Sequence, residues 1–220
     1  MEYLNFTVDS ALLRELGEKL VESVHLALAE LIKNSYDADA TEVTVRFTQD
    51  DKGNDEIHII DNGIGMNFQE VKDYWMRIAT TNKNQNRLSR LYGRPKTGEK
   101  GIGRFCCRRL GAGLRLITVG ADTRANSTEF QKTEVEFNWE AFEPGTEVTE
   151  IRCPGYQFVV ENVKTGTTLI ISELKDEWEK RGFNWLKRQL AILAANRGTR
   201  RPGYREDPGF NSTLVGSRSF

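Results

Sequence analysis

LeuArgLeuIleThrVal at 114–119, ThrGluValGluPheAsnTrp at 133–139, GluValThrGluIleArg at 147–152 and ThrThrLeuIleIleSer at 167–172 follow one another with no helical period between them. Each alternates apolar and polar residues as half-buried strands do. Upstream, two more strand-like runs, Glu42 to Phe47 and Glu56 to Ile60, flank the turn-rich GlnAspAspLysGlyAsnAsp. Before them Leu13, Leu16, Leu20, Val24, Ala27, Leu28, Leu31 and Ile32 recur at helical spacing; Gly17 divides the run, Asp9 and Ser10 offer N-caps, and AspAlaAspAla at 37–40 reads as the exit loop. Helices are expected at 67–79, at Ile102 to Leu110 and at Leu174 to Asn196. Helices early and late with strands between them predict an α+β fold, a sandwich of one mixed or antiparallel sheet with helices on one face. A Rossmann fold fits worse, because strand and helix do not alternate in the second half.

The chain has 220 residues, enough for one large domain or two small ones with an ordinary core. Lys and Arg number 31 against 32 Asp and Glu, so the total describes no polybasic nucleic-acid binder. The neutrality is a sum of unlike segments. Residues 83–109 carry nine Lys/Arg and one acid, 181–205 carry seven and none, and 122–150 carry eight acids against two bases. Cys106, Cys107 and Cys153 offer no CxxC spacing, which suits a reducing, cytoplasmic setting. No apolar run approaches the roughly 20 residues that span a bilayer, and MEYLNFTVDS lacks a signal-peptide layout, so no membrane partner is expected.

Four short motifs carry chemistry. Glu30, Asn34 and Asp37 stand at i, i+4 and i+7 and share one helix face; a solvated polar face would read the same. Asp61AsnGlyIleGlyMet66 follows the apolar IleHisIleIle, so a carboxylate sits at a strand end beside bare backbone that a flat ligand can approach; a tight AsnGly turn is the alternative. Gly98GluLysGlyIleGly103 leads into a short helix, where backbone N–H groups and Lys100 could hold an anion, yet it is neither a Walker A loop nor GxGxxG. ThrGlyThrThr at 165–168 by itself is a turn.

Taken in order, GluLeuIleLysAsnSerTyrAspAlaAspAla, AspAsnGlyIleGlyMet, GlyGluLysGlyIleGly and GlyThr resemble the four ATP-binding boxes of the GHKL superfamily, over roughly residues 10–172. The first box is closest to the MutL, MORC and Hsp90 branches. The resemblance implies the Bergerat fold, a two-layer α/β sandwich with a mixed, mainly antiparallel sheet and helices on one face, ATP and Mg²⁺ as cofactors, and a role for each matching residue. Asp61 accepts a hydrogen bond from the adenine amino group, Gly63 and Gly65 shape the turn with Gly65 letting the base approach, Met66 covers its face, and Thr167 supports Asp61. Asn34 holds Mg²⁺ through its amide oxygen, and Asp37 belongs to the same binding box. Lys100, Gly101, Ile102 and Gly103 contact phosphate, joined by Lys83 where a lid begins, and Glu30 is the general base that activates the attacking water.

The resemblance also sets expectations for the whole. Residues 1–198 form the ATP-binding domain and 199–220 a linker or the start of a further domain. The activity is ATP hydrolysis to ADP and phosphate, weak in this chain alone, because relatives borrow a catalytic Lys from a second domain. Only 29 residues precede Glu30, so the phosphoacceptor helix of histidine kinases is not expected. His25 and His58 fall inside regular elements and are read as packing residues. The function implied is a nucleotide-gated switch or dimerisation clamp, with an ATP-dependent homodimer in the full-length protein. The alternatives are a non-hydrolysing nucleotide sensor and a DNA-associated clamp of a repair, defence or chromatin system, with DNA meeting the basic segments.

Overall fold

Along the strand Asp55–Asp61 the apolar Ile57 and Ile59 point to one face while Glu56, His58 and Ile60 point to the other, and this period of two repeats in its neighbours. The structure, a computed structural model, describes residues 7–13, 15, 21, 23–78, 87–97, 103–121, 129–176, 178, 180–195 and 201–216. Within them lie β1 (Glu42–Gln49), β2 (Asp55–Asp61), β3 (Gly111–Ala121), β4 (Phe130–Asn138), β5 (Gly155–Val160), β6 (Gly166–Leu174) and β7 (Asn211–Gly216). They join in one sheet of order β5-β4-β3-β6-β2-β1-β7. Every pairing is antiparallel except β1 with β7, which is parallel. This is the mixed, mainly antiparallel sheet that the sequence predicts.

Helix α1 (Val24–Asp37) starts where the Ser23 hydroxyl accepts from the Leu26 N–H at 3.2 Å. Its buried face, Val24, Ala27, Leu28, Leu31 and Ser35, follows the 3.6-residue period and meets the inward rows of the sheet. Fully buried Leu28, Leu31 and Ile32 each contribute about 1.5–3 kcal/mol on leaving water. Helix α2 (Phe68–Glu70) opens with a capping box on Asn67 and continues as a π-helical turn, Val71–Trp75. After a 3₁₀ turn at Gly103–Phe105 comes α3 (Cys106–Leu110), and α4 (Lys180–Ala195) packs with α3 beside α1. Among the described residues no helix is long and apolar enough to cross a membrane.

Two expectations fail. Residues 147–152 alternate in sequence but form a 3₁₀ turn, Val148–Glu150, because Val148 and Ile151 pack on the core at a spacing of three. The strand on that side is β5, which lies at the sheet edge and has no inward face for a pattern to register. Leu174 ends β6 rather than opening a helix. The segment 199–220, expected as a linker or the start of a further domain, contains β7 over Asn211–Gly216, whose backbone pairs with β1. His25 packs edge-on to Trp178 at 5.0 Å and His58 lies 2.7 Å from Glu56, both within regular elements as expected.

Candidate nucleotide site

The site begins where an apolar row gives way to a polar one. Across the sheet Phe47, Ile57, Ile171, Leu114 and Phe137 stand in register, then Val45, Ile59, Leu169, Leu116 and Val135. In the next row Val43 is followed by Asp61, Thr167, Thr118 and Thr133. Asp61 is therefore the inward-facing residue at the end of β2, placed by the same alternation that buries Ile57 and Ile59.

Its hydrogen bonds are specific. Oδ1 accepts from the Gly63 N–H at 2.9 Å and the Thr167 N–H at 3.1 Å, and Oδ2 accepts from the Ser35 hydroxyl at 2.8 Å. A carboxylate offers about four lone-pair sites, so three are filled and one, on Oδ2, is left for a donor from the cavity that Asp61 lines. Burial pushes the Asp61 carboxyl above the ordinary carboxylate range, against the pull of these three donors. Thr118 ties the row together: its hydroxyl accepts from the Met66 N–H at 2.9 Å and lies 3.0 Å from the Thr167 hydroxyl.

The loop after β2 is braced from both sides. Asn62 Oδ1 accepts from the Thr41 and Glu42 N–H groups, both at 2.9 Å, and the Ile64 N–H donates to Ala38 O at 2.9 Å. Gly63 is buried against α1's exit, where a Cβ would lie 2.6 Å from Ala38 O. Gly65 has φ +60, and a Cβ there would lie 1.8 Å from Val119 O. The approach that demands glycine at 65 is thus the loop's own approach to β3; the residue also lines the cavity.

The cavity has a volume of about 230 Å³. Of the residues singled out in sequence it brings together Asn34, Asp37, Asp61, Gly65, Met66, Gly103 and Thr167. Gly103 comes up to Asn34, whose amide nitrogen and oxygen would be 3.7 and 3.8 Å from a Cβ at that glycine. Asp37 Oδ1 accepts from both the N–H and the hydroxyl of Thr97, at 2.8 and 3.0 Å, so this acid anchors the segment that leads to the third box. Glu30 is not among the lining residues; its carboxylate pairs with Lys33 Nζ at 2.6 Å. Gly63 does not line the cavity either. Lys83, Lys100, Gly101 and Ile102 lie outside the described residues.

Sequence reasoning missed Ser35 and Thr118. Thr118 carries a signal, as the polar member of the inward series Leu114, Leu116, Thr118; Ser35 carries none beyond sitting on the buried face of α1. It also missed the wall formed by Tyr74, Trp75 and Arg104. The Arg104 guanidinium donates to the carbonyls of Tyr74, at 3.1 Å, and of Arg77, pinning the π-helical turn against α3, and burial lowers its pKa to about 10.

Comparison with known proteins agrees with this geometry. A 100-residue stretch is 36% identical to a protein of Herpetosiphon aurantiacus named "Putative type II restriction enzyme HgiDII"; the stretch is 46% of this chain and 15% of that protein's length. The family of Histidine kinase-, DNA gyrase B-, and HSP90-like ATPases matches residues 21–166, more than half of the chain, a span that holds β1 to β5 and most of the residues lining the cavity. The chain therefore carries an ATP-binding domain of the GHKL type and belongs to the histidine kinase-, DNA gyrase B- and HSP90-like ATPase family.

Proposed function

We propose that the domain is a nucleotide-gated switch that binds ATP with its adenine against Asp61 and its phosphates toward Asn34 and Gly103, and hydrolyses it slowly. The observation that carries this reading is Asp61: a deep carboxylate with three donors of its own and one acceptor position left on the cavity side. Adenine's amino group is a donor and fills that position, whereas guanine presents a carbonyl there. An unmet buried acceptor costs about 1–3 kcal/mol, enough to select the base. Met66, braced through its N–H on Thr118, covers the ring from the side.

Mg²⁺ suits the other end. It keeps several waters and takes few protein ligands, so the Asn34 amide oxygen together with phosphate oxygens is a fitting set. Bound there, the ion would neutralise charge on the phosphates. Glu30, one helical turn from Asn34, orients and deprotonates the attacking water after leaving Lys33, and the need to break that ion pair is consistent with slow turnover. In the whole protein, ATP closes a homodimer or docks further domains. The basic segments and the relative named as a restriction enzyme favour DNA as what that switch acts upon.

The test is a pair of measurements. Calorimetry with ATP and GTP reads binding, and phosphate release with excess Mg²⁺ reads turnover, each for the wild type and Glu30→Ala. ATP-selective binding retained in Glu30→Ala with turnover abolished is expected. Loss of binding in that variant overturns the base assignment, and binding without turnover in the wild type leaves a nucleotide sensor.

A further inference from the structure

Among the described residues Arg94 is the largest fully buried side chain, and all five of its N–H donors are used. Nε and Nη2 donate to the two Asp207 oxygens at 2.8 and 2.6 Å, Nη2 also to Gly209 O at 2.9 Å, and Nη1 to Ala40 O at 2.6 Å and Tyr36 O at 3.4 Å. The guanidinium lies between the rings of Tyr36 and Tyr92, 4.8 and 4.9 Å from their centroids. Burial raises the pKa of Asp207, but the Arg94 hydrogen bonds, the Gly209 N–H and the guanidinium charge outweigh it and hold the carboxyl below its ordinary value.

Three pieces of chain meet at this one cation. The first is the exit of α1, which carries Asn34 and Asp37. The second is the folded loop 87–97, closed by a bridge between Leu88 and Pro95, which lines the cavity with Arg90 and Lys96. The third is the segment 204–209 that feeds β7. The loop is held to α1 by Asp39, which accepts from the Leu91 and Tyr92 N–H groups at 2.7 and 3.2 Å, and by Asp37 through Thr97. It is held to the C-terminal segment by the Arg205 N–H on Leu91 O at 2.9 Å and by the Tyr204 ring, which occupies the space a side chain at Gly93 (φ +63) would need. Next along the chain, Phe210 packs edge-on to Tyr36 at 5.5 Å.

We propose that Arg94 and Asp207 form a clamp through which occupation of the phosphate end of the cavity and docking of the C-terminal strand β7 stabilise each other. The proposal rests on the nucleotide reading above. The loop 87–97 is the shared part: it forms the cavity wall on one side and the seat of residues 204–209 on the other. A ligand whose phosphates engage that wall favours the docked loop, and the docked loop favours β7. Linkage makes the effect reciprocal, so a released tail weakens phosphate binding by the same factor. The adenine end is built on the sheet through Asp61, Thr167 and Thr118; it meets the exit of α1 at Ser35 and Ala38 and makes none of the Arg94, Asp207 or Asp39 contacts. Arg94 and Asp207 are thus positioning residues, and the ligand's two halves should respond to them differently.

The experiment compares ATP with adenosine on the whole chain. In the wild type, saturating ATP should slow amide hydrogen exchange across 211–216 by about 5- to 150-fold, the usual span of coupling between sites, while saturating adenosine leaves it unchanged. Asp207→Asn, which keeps the shape but removes the charge, should weaken ATP by a factor in that range, hold adenosine within about twofold, and abolish the effect of ATP on β7. Tyr204→Ala, which loosens the same seat without leaving a buried charge, should move the same quantities in the same direction. Equal losses of ATP and adenosine in both variants, or β7 exchange in the wild type that ignores ATP, overturn the clamp. Failure of the wild type to bind either ligand overturns the nucleotide reading and the clamp with it.

Discussion

Replacing Asp61 by Asn separates the roles of this residue in binding and in stability. The amide oxygen can stay where Oδ1 now accepts from Gly63 and Thr167, which leaves the NH₂ group in the place of Oδ2. Ser35 can adapt by turning its hydroxyl from donor to acceptor. The adenine amino group cannot, so two donors face each other. At about 1–3 kcal/mol for an unmet buried polar group, the ATP dissociation constant should rise about 5- to 150-fold. A base with a carbonyl at that position should recover part of the loss, so the preference for ATP over ITP should narrow or reverse. Stability should move the other way. A carboxyl whose folded pKa lies above its unfolded value stabilises the fold fully below the unfolded pKa, and that contribution disappears as pH rises through the folded value. Asn imitates the uncharged form at every pH. At neutral pH the variant should therefore be as stable as the wild type or more so, and its urea midpoint should lose the part of the pH dependence that Asp61 causes. The assay is calorimetry with ATP and ITP beside urea unfolding at several pH values. Unchanged ATP affinity in a folded variant would refute the role of Asp61 in reading the base, and a large loss of stability at neutral pH would show that its charge serves the fold.

Gly65→Ala puts a side chain on a left-handed residue and drives its Cβ into Val119 O, so unfolding should be easier by about 3 kcal/mol or more; a urea midpoint within error of wild type contradicts the φ of +60. Cys106, pushed up to about 12 by burial with the Glu30 charge adding to it, and Cys107, which burial raises well above the ordinary thiol range, should resist iodoacetamide at pH 8, where about one Cys106 thiol in ten thousand is ionised. Half-buried Cys153 should react first in the native chain, as peptide mapping by mass spectrometry will show, and equal native rates at all three contradict the packing.

The parts of the fold legible in the sequence are those whose residues have two different sides. β1, β2, β3, β4 and β6 each bury one face, and their alternation locates them to within a few residues. β5 is exposed along nearly its whole length, so GlyTyrGlnPheValVal shows no alternation, while the turn beside it mimics a strand because Val148 and Ile151 need burial. β7 is short and half polar, and its place is set by pairing with β1, some 170 residues away in the chain, which no local pattern encodes. The same division runs through the site. Asn34, Asp37, Asp61 and Thr167 stand out as polar residues in local motifs. Ser35 and Thr118 look like ordinary helix and strand residues until register carries them to Asp61 and Thr167. In the sequence Arg94 is one charge in a basic run, and the structure makes it the most buried cation described.

The polar row at the end of the sheet explains why one end of the cavity should be rigid and the other responsive. Asp61, Thr167 and Thr118 are spaced by strand pairing, so moving any of them means breaking ladder hydrogen bonds and unpacking Ile59, Leu169 and Leu116 directly beneath. The wall at the phosphate end is fixed differently. Loop 87–97 contributes no strand to the sheet, and its attachments to α1 and to the C-terminal segment run through the side chains of Asp37, Asp39 and Arg94 and the Arg205–Leu91 backbone bond. Each net bond of this kind is worth about 0.5–1.5 kcal/mol, or about 1.5–3 where a charge takes part, which is the scale of the free energy a ligand can redistribute. A base read by the sheet supplies affinity and selectivity with little motion. Under the proposed clamp, phosphates placed against a loop of this kind would supply the signal, because there the ligand meets a wall held by a few side-chain bonds rather than by a strand ladder.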